Sequence, residues 1–235
     1  MKTKPQIRQA AQEPSGQRLV MAMAIAGFLS GLIIIAIYLL TFDTIKDNKA
    51  RELRQAVFKV LPDVSYMQKL HFLDNKLQVI KADGMDDDMI FAGYDKQGHF
   101  IGYAIQGKGP GFQDTIHLLF GYLRSTNRMS GMEILDSRET PGLGDKIFKD
   151  MDFVGEFIDH LMKDDVKAVK KGTKTQDNEI DAITGATISS KAVVKIINKA
   201  FHLWSPRLSE QGSEPVLDRP EKVTHSSTDK QLTAQ

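Results

Sequence analysis

The chain has 235 residues, 41% hydrophobic and 26% charged, enough for one ordinary domain plus additional segments. Its 31 Lys and Arg against 30 Asp and Glu leave a formal net charge of +1, which excludes the basic footprint of a nucleic-acid-binding protein. It contains no cysteine, which excludes disulfides, thiolate metal centres, iron–sulfur clusters and Cys nucleophiles, so any redox chemistry requires a borrowed cofactor.

Residues 1–18 read as a short N-terminal tail. They are followed by "LVMAMAIAGFLSGLIIIAIYLLTF", residues 19–42, a 24-residue run without a charge. At about 1.5 Å per residue this is roughly 36 Å of helix, enough to cross a hydrocarbon core of about 30 Å with some tilt. A cleaved signal peptide has a shorter apolar core and ends in small residues, whereas this run ends in "YLLTF". The expectation is an uncleaved, lipid-embedded, single-pass membrane anchor. The basic residues on its two flanks nearly tie. A long domain is translocated largely regardless of its charges, so the N-tail is placed in the cytoplasm and the main domain outside it.

After the span, Ile45, Leu53, Val57, Phe58 and Leu61 recur at near-helical spacing up to Pro62, which predicts a juxtamembrane amphipathic helix. "DMIFAGYDKQGHFIGYAIQGKG" and "DTIHLLFGYLRSTNRMSGMEILDS" each read as strand, turn and strand, giving two hairpins. "DKIFKDMDFVGEFIDHLM" returns to helical spacing through Ile147, Phe153, Phe157 and Leu161, and a polar, basic stretch follows. A last helix carries Ala192, Val193, Ile196, Ile197, Ala200, Phe201 and Trp204 on one stripe, with Lys191, Lys195 and Lys199 elsewhere. The fold class is α+β: a transmembrane helix, then one domain over 43–204 with antiparallel hairpins and a C-terminal helix. Residues 205–235 have few large apolar side chains and no aromatic one, and are expected to be a disordered tail.

Two motifs carry the chemistry. In "DAITGATISSKAV", Thr184, Thr187, Ser189 and Ser190 surround Gly185 and Ala186 at the start of the last helix. One hydroxyl there suffices as an N-cap, and the others are in excess. A helix N-terminus offers unpaired N–H groups and a partial positive charge, so phosphate binding is the alternative to capping. In "SRETPGLGDKIF", Pro141, Gly142 and Gly144 suit a tight loop, and Leu143 stands out as a bulky apolar tip able to cover a flat ring. His99, His117, His160 and His202 lack metal-ligand spacing, and Asp86, Asp87 and Asp88 lack the pattern of a calcium loop, so no metal is expected.

"ETPGLG" followed about forty residues later by "DAITGAT" resembles the FMN-binding domain of the G subunit of the Rnf ion-translocating electron-transport complex, related to the C subunit of the sodium-pumping NADH:quinone reductase. Asp181, Thr184, Gly185, Ala186 and Thr187 fill every fixed position of the family's second motif. The resemblance implies covalent FMN held by a phosphoester on Thr187 and attached by a flavin transferase that takes FMN from FAD. It also implies an electron-transfer role among the other membrane and peripheral subunits of a translocating oxidoreductase, linking ferredoxin and NAD to ion movement. No residue need act as a catalytic acid, base or nucleophile. Further expected flavin contacts are Thr184, Gly185, Ala186, Glu139, Thr140, Leu143 and Gly144, with Leu143 covering a ring face; Ser189 and Ser190 are candidate phosphate partners or caps. The Gly-rich "GKGPGFQDTI" is read as structural. Two alternatives stay open: the C subunit of the quinone reductase, and a flavin-free, membrane-anchored assembly module.

Overall fold

The computed structural model describes residues 15–79, 88–218 and the backbone of 221–222; Asp86 and Asp87 of the acidic cluster lie outside the described residues. The first element is a single helix, α1 (Gly16–Val60). The sequence suggested a span and a separate amphipathic helix, but no Gly or Pro lies between Phe42 and Val60 to interrupt the hydrogen-bond ladder. The chain divides after Lys49 into two units. In the first, the large apolar side chains from Leu19 to Phe42 are exposed, and among the described residues this is the one helix long and apolar enough to cross a membrane. Thr41 donates its hydroxyl to the Ile37 carbonyl at 2.8 Å, which satisfies it without water.

The second unit is built on an antiparallel sheet. Its strands are β1 (Tyr66–Leu73), β2 (Lys76–Val79), β3 (Met89–Tyr94), β4 (Phe100–Pro110), β5 (Thr115–Leu123) and β6 (Arg128–Ser137). β7 (His160–Leu161) extends one edge beside β6, while β2 and the short β10 (Glu221–Lys222) pair with β1 at the other. The two expected hairpins are β3–β4 and β5–β6. Side chains alternate between two cores. Ile90, Ala92, Tyr103, Ile105, Leu118 and Phe120 face one, and Met67, Phe91, Ala104 and Leu119 the other.

The second core exists because the last turns of α1 cover that face with Leu53, Ala56, Val57 and Val60. Their approach is close: Ser130 Oγ donates to the Val60 carbonyl at 2.5 Å, and Gly121 on β5 presents no side chain to it. The first face is covered by α4 (Thr187–Trp204), which buries Val193, Ile196, Ile197 and Trp204. Gly107 and Gly109 on β4 give Ile196 its seat, since a Cβ at either would come within 2.8 Å of it. The Gly-rich segment thus works in packing.

Three further expectations change. The helix expected through Ile147 and Leu161 is two short ones, α2 (Lys146–Lys149) and α3 (Met151–Gly155). Asp150 between them is extended, and its carboxylate caps α3 through the amides of Asp152 and Phe153. The polar stretch after it contains β8 (Lys167–Lys170), which pairs in parallel with β9 (Glu179–Ala182). The tail expected to be disordered from 205 is structured over its described part. Ser205–Arg207 forms a 3₁₀ turn, and Leu208 is buried. The buried Gln68 donates to the Val216 carbonyl at 3.1 Å and accepts from the Asp218 amide at 3.1 Å, while Tyr94 donates to the Pro215 carbonyl at 2.6 Å. These bonds to main chain supply what the tail's own apolar content lacks.

Candidate functional site

The second motif begins at the end of β9. Asp181 Oδ1 accepts from the Gly172 amide at 2.9 Å, which ties the motif to the turn after β8. The chain then turns through Gly185 at φ +84°, a conformation that costs a side-chain-bearing residue about 1 kcal/mol or more. No atom lies within 4 Å of where its Cβ would be, so the glycine serves the turn, and the space beside it is open. Thr184, Gly185, Thr187 and Ile188 are exposed; Ala186, Ser189 and Ser190 are buried.

The serines do not cap α4, which has no side-chain cap at all. Ser190 Oγ donates to the Ala186 carbonyl at 2.9 Å and accepts from the Ile183 amide at 3.1 Å, folding the motif back on itself. Ser189 Oγ donates to Glu139 Oε2 at 2.6 Å. Both hydroxyls are therefore committed inside the protein. Thr184 and Thr187 stay at the surface, and of the two Thr187 lies on the first turn of the uncapped 18-residue helix, its Oγ1 making a long 3.5 Å bond to the Ile183 carbonyl. That is the fit a phosphoester needs: an accessible oxygen beside amides that no side chain has claimed.

The first motif lies at the end of β6. Glu139 is buried, and its Oε1 accepts from the Phe112 and Gln113 amides at 2.8 and 3.0 Å. The carboxylate is thus turned inward. Thr140 donates its hydroxyl to Gln113 Oε1 at 2.8 Å, and its carbonyl accepts from the Leu143 amide at 3.1 Å, closing the loop around Pro141 and Gly142. Leu143 stands exposed at the tip, as its position in the loop implied, and Gly144 lies against Glu139. Asp145 follows, and the Lys149 ammonium at 2.6 Å holds its carboxyl below the usual range. Phe112 and Ile188 are also exposed, so three large apolar side chains stand on segments joined by Glu139. Sequence reasoning missed Phe112; the signal was a bulky apolar residue in a Gly-rich loop, the same as for Leu143.

Two clefts lie elsewhere. One of about 170 Å³ is lined by Gln106, His117, Lys199 and Trp204 among others. The other, of about 450 Å³, is lined by Arg128, Glu156, His160, Lys174 and Glu179 among others. Neither includes Thr187 or Leu143. Among the described residues no three His, Asp or Glu side chains converge as a metal site.

Burial pushes the His160 imidazole below its ordinary pKa, with Lys174 and Arg128 acting in the same direction and Glu156 against it. A neutral buried His resists a proton that the unfolded chain accepts near pH 6.5, so its contribution is present above that pH and is lost as pH falls below it. Urea unfolding at pH 7.5 and 5.5 should show the native chain losing stability at the lower pH and His160→Gln losing less. Equal losses would remove His160 from the account.

Comparison with known proteins fits this geometry. Residues 111–202, which contain both motifs, match the FMN-binding domain family. The G subunit of an ion-translocating oxidoreductase complex from Methanosarcina acetivorans is 27% identical over 188 residues, covering 78% of this chain and 91% of that protein. The G subunit of a proton-translocating ferredoxin:NAD(+) oxidoreductase complex from Clostridium ljungdahlii is 31% identical over 178 residues, covering 76% and 85%. Among solved structures, the C subunit of a Na(+)-translocating NADH-quinone reductase from Parabacteroides distasonis superposes with a TM-score of 0.52 at 20% identity, covering 71% of this chain and 93% of that one, a likeness of fold.

Proposed function

Because the chain belongs to the G-subunit family of ion-translocating oxidoreductase complexes, we propose that it carries FMN covalently on Thr187 and passes electrons between the components of such a complex. The observation that carries the reading is the exposed Thr187 hydroxyl on the uncapped first turn of α4, inside a complete Asp-x-x-Thr-Gly-Ala-Thr pattern. FMN supplies the redox chemistry, accepting and donating electrons singly or in pairs. The protein supplies attachment and placement. Thr187 Oγ1 would bond to the FMN phosphorus of FAD as the pyrophosphate bond breaks, AMP leaves and the hydroxyl proton passes to the transferase. The first-turn amides would then face the phosphate, and the exposed Leu143, Phe112 and Ile188 would offer apolar cover to a ring.

Residues 19–42 would cross the inner membrane in contact with lipid, with the N-tail cytoplasmic and the flavin-bearing domain extracytoplasmic. Covalent attachment suits that side, where a dissociated flavin would be lost. The G-subunit relatives named for ferredoxin and NAD(+) favour that pair of redox partners over NADH and quinone.

The test is intact mass and in-gel fluorescence of the denatured full chain, purified in detergent after coexpression with a flavin transferase. One esterified FMN per chain is expected. A bare chain from cells in which another acceptor protein is modified would leave the flavin-free assembly module as the reading.

A further inference from the structure

We propose that Glu139 is the positioning residue for flavin attachment, tying the loop of Phe112, the loop of Leu143 and the first turn of α4 into one rigid frame that presents Thr187. The inference rests on the reading of Thr187 as the acceptor. Glu139 is 5% exposed, and its two oxygens take three donors from two distant segments: the Phe112 and Gln113 amides on one oxygen and the Ser189 hydroxyl on the other. Room for it comes from two glycines. A Cβ at Gly144 would lie 2.5 Å from Oε2, and one at Gly111 would collide with Oε1.

Each contact is coupled to the surface. Phe112 is itself exposed, Leu143 precedes Gly144, and Ile188 precedes Ser189, with Thr187 one residue further. A carboxylate suits this place because it is acceptor-only and can serve several donors at once. In the attachment step Thr187 Oγ1 gains phosphorus and AMP leaves; Glu139 touches neither and acts only through the frame. Removing it leaves two amides and one buried hydroxyl without their acceptor, and the three segments lose their common tie. Glutamine keeps one acceptor oxygen for the amides and can donate its –NH₂ to Ser189 Oγ, so Glu139→Gln should preserve the frame.

The experiment follows flavin loading with time in the detergent-purified full chain coexpressed with a transferase. It compares the native chain, Glu139→Ala, Glu139→Gln, Ser189→Ala and, as a destabilised control remote from the motif, Leu70→Ala in β1. Glu139→Ala should load on the order of 10-fold more slowly, because a small misplacement of a reacting group has effects of that size or more. Glu139→Gln and Leu70→Ala should load at near-native rates. The flavin that Glu139→Ala does acquire should show weakened visible circular dichroism, and without flavin its Phe112 and Gln113 amides should exchange faster.

Native loading and native dichroism in Glu139→Ala would overturn the proposal, as would a slowing no greater than that of Leu70→Ala. Should Glu139→Ala not fold, Ser189→Ala decides: it cuts the tie to α4 alone and should load more slowly than native, and a native rate overturns the proposal. A native chain that takes no flavin while another acceptor is modified sinks the Thr187 reading and this proposal together. Loading that is equal with and without Glu139 sinks the positioning role and leaves Thr187 intact.

Discussion

Thr187→Ala is expected to abolish covalent flavin, with no residual fraction, while leaving the fold in place. A phosphoester needs an oxygen at this position, and alanine has none. The folding consequence should be small because the Thr187 side chain is exposed and makes one long hydrogen bond to a carbonyl. Alanine is the better helix former by a few tenths of a kcal/mol, so stability should stay within about 0.5 kcal/mol of native. Any flavin on Thr184→Ala should still be attached at Thr187, since the Thr184 hydroxyl precedes the turn at Gly185 and lies outside the helix. Thr187→Ser restores an oxygen and should recover loading. Intact mass of the four proteins side by side reads all of this. Flavin persisting on Thr187→Ala would move the attachment elsewhere, and peptide mapping would then find it.

A change far from that site should do the most damage to folding. Gly121 lies on β5 beneath the end of α1, where a Cβ would stand 2.9 Å from the Val60 carbonyl carbon and closer still to its oxygen and to Ser130 Oγ. The obstacle is main chain, so no rotamer change relieves it. Either the helix end lifts from the sheet or the strand gives way. Gly121→Ala should therefore cost about 3 kcal/mol, the upper part of the usual range for overpacking, with about 1 kcal/mol more if the Ser130 bond to Val60 is lost. For a unit of this size that is a drop of roughly 10 °C in Tm. Trp204 is the single tryptophan and is buried, so its fluorescence reports the transition. Gly142→Ala is the instructive contrast: open space surrounds it and only its φ of +78° objects, so about 1 kcal/mol is expected. A Gly121→Ala protein within about 1 kcal/mol of native would mean that α1 and the sheet are not held where the packing places them.

What could be read from the chain in advance divides along the range of the interactions. The hairpins were legible because their turns are written locally, in Gly98 and in the polar run between Leu123 and Arg128. α4 was legible from its apolar stripe. The helix expected around Phe153 was misread because Asp150 breaks it by bonding to amides two and three residues on, which apolar spacing does not record. "KAVK" lies in a stretch that reads as polar and basic, and it is a strand only because it pairs with "EIDA".

At the site, the exposure of Thr187 and Leu143 followed from small neighbours and turn residues. The role of Glu139 did not. Read alone it is a polar residue in a loop that faces a ligand. It points inward because Gly144 in its own loop and Gly111 in a distant one leave the space it fills. Contacts between residues 27 and 50 positions apart decide its direction, and no local pattern carries them.

Gln68 has a consequence for how the molecule is made. Its side-chain amide is closed into the interior by partners 148 and 150 residues later in the chain. Until those partners have been synthesised, the Gln68 side chain can donate to the Tyr94 hydroxyl of the neighbouring strand β3, but its bonds to the Val216 carbonyl and the Asp218 amide are unmade. Full closure here thus waits for residues 215–218, and a polypeptide released short of Pro215 would keep Gln68 and Tyr94 bonded to each other with their main-chain partners missing.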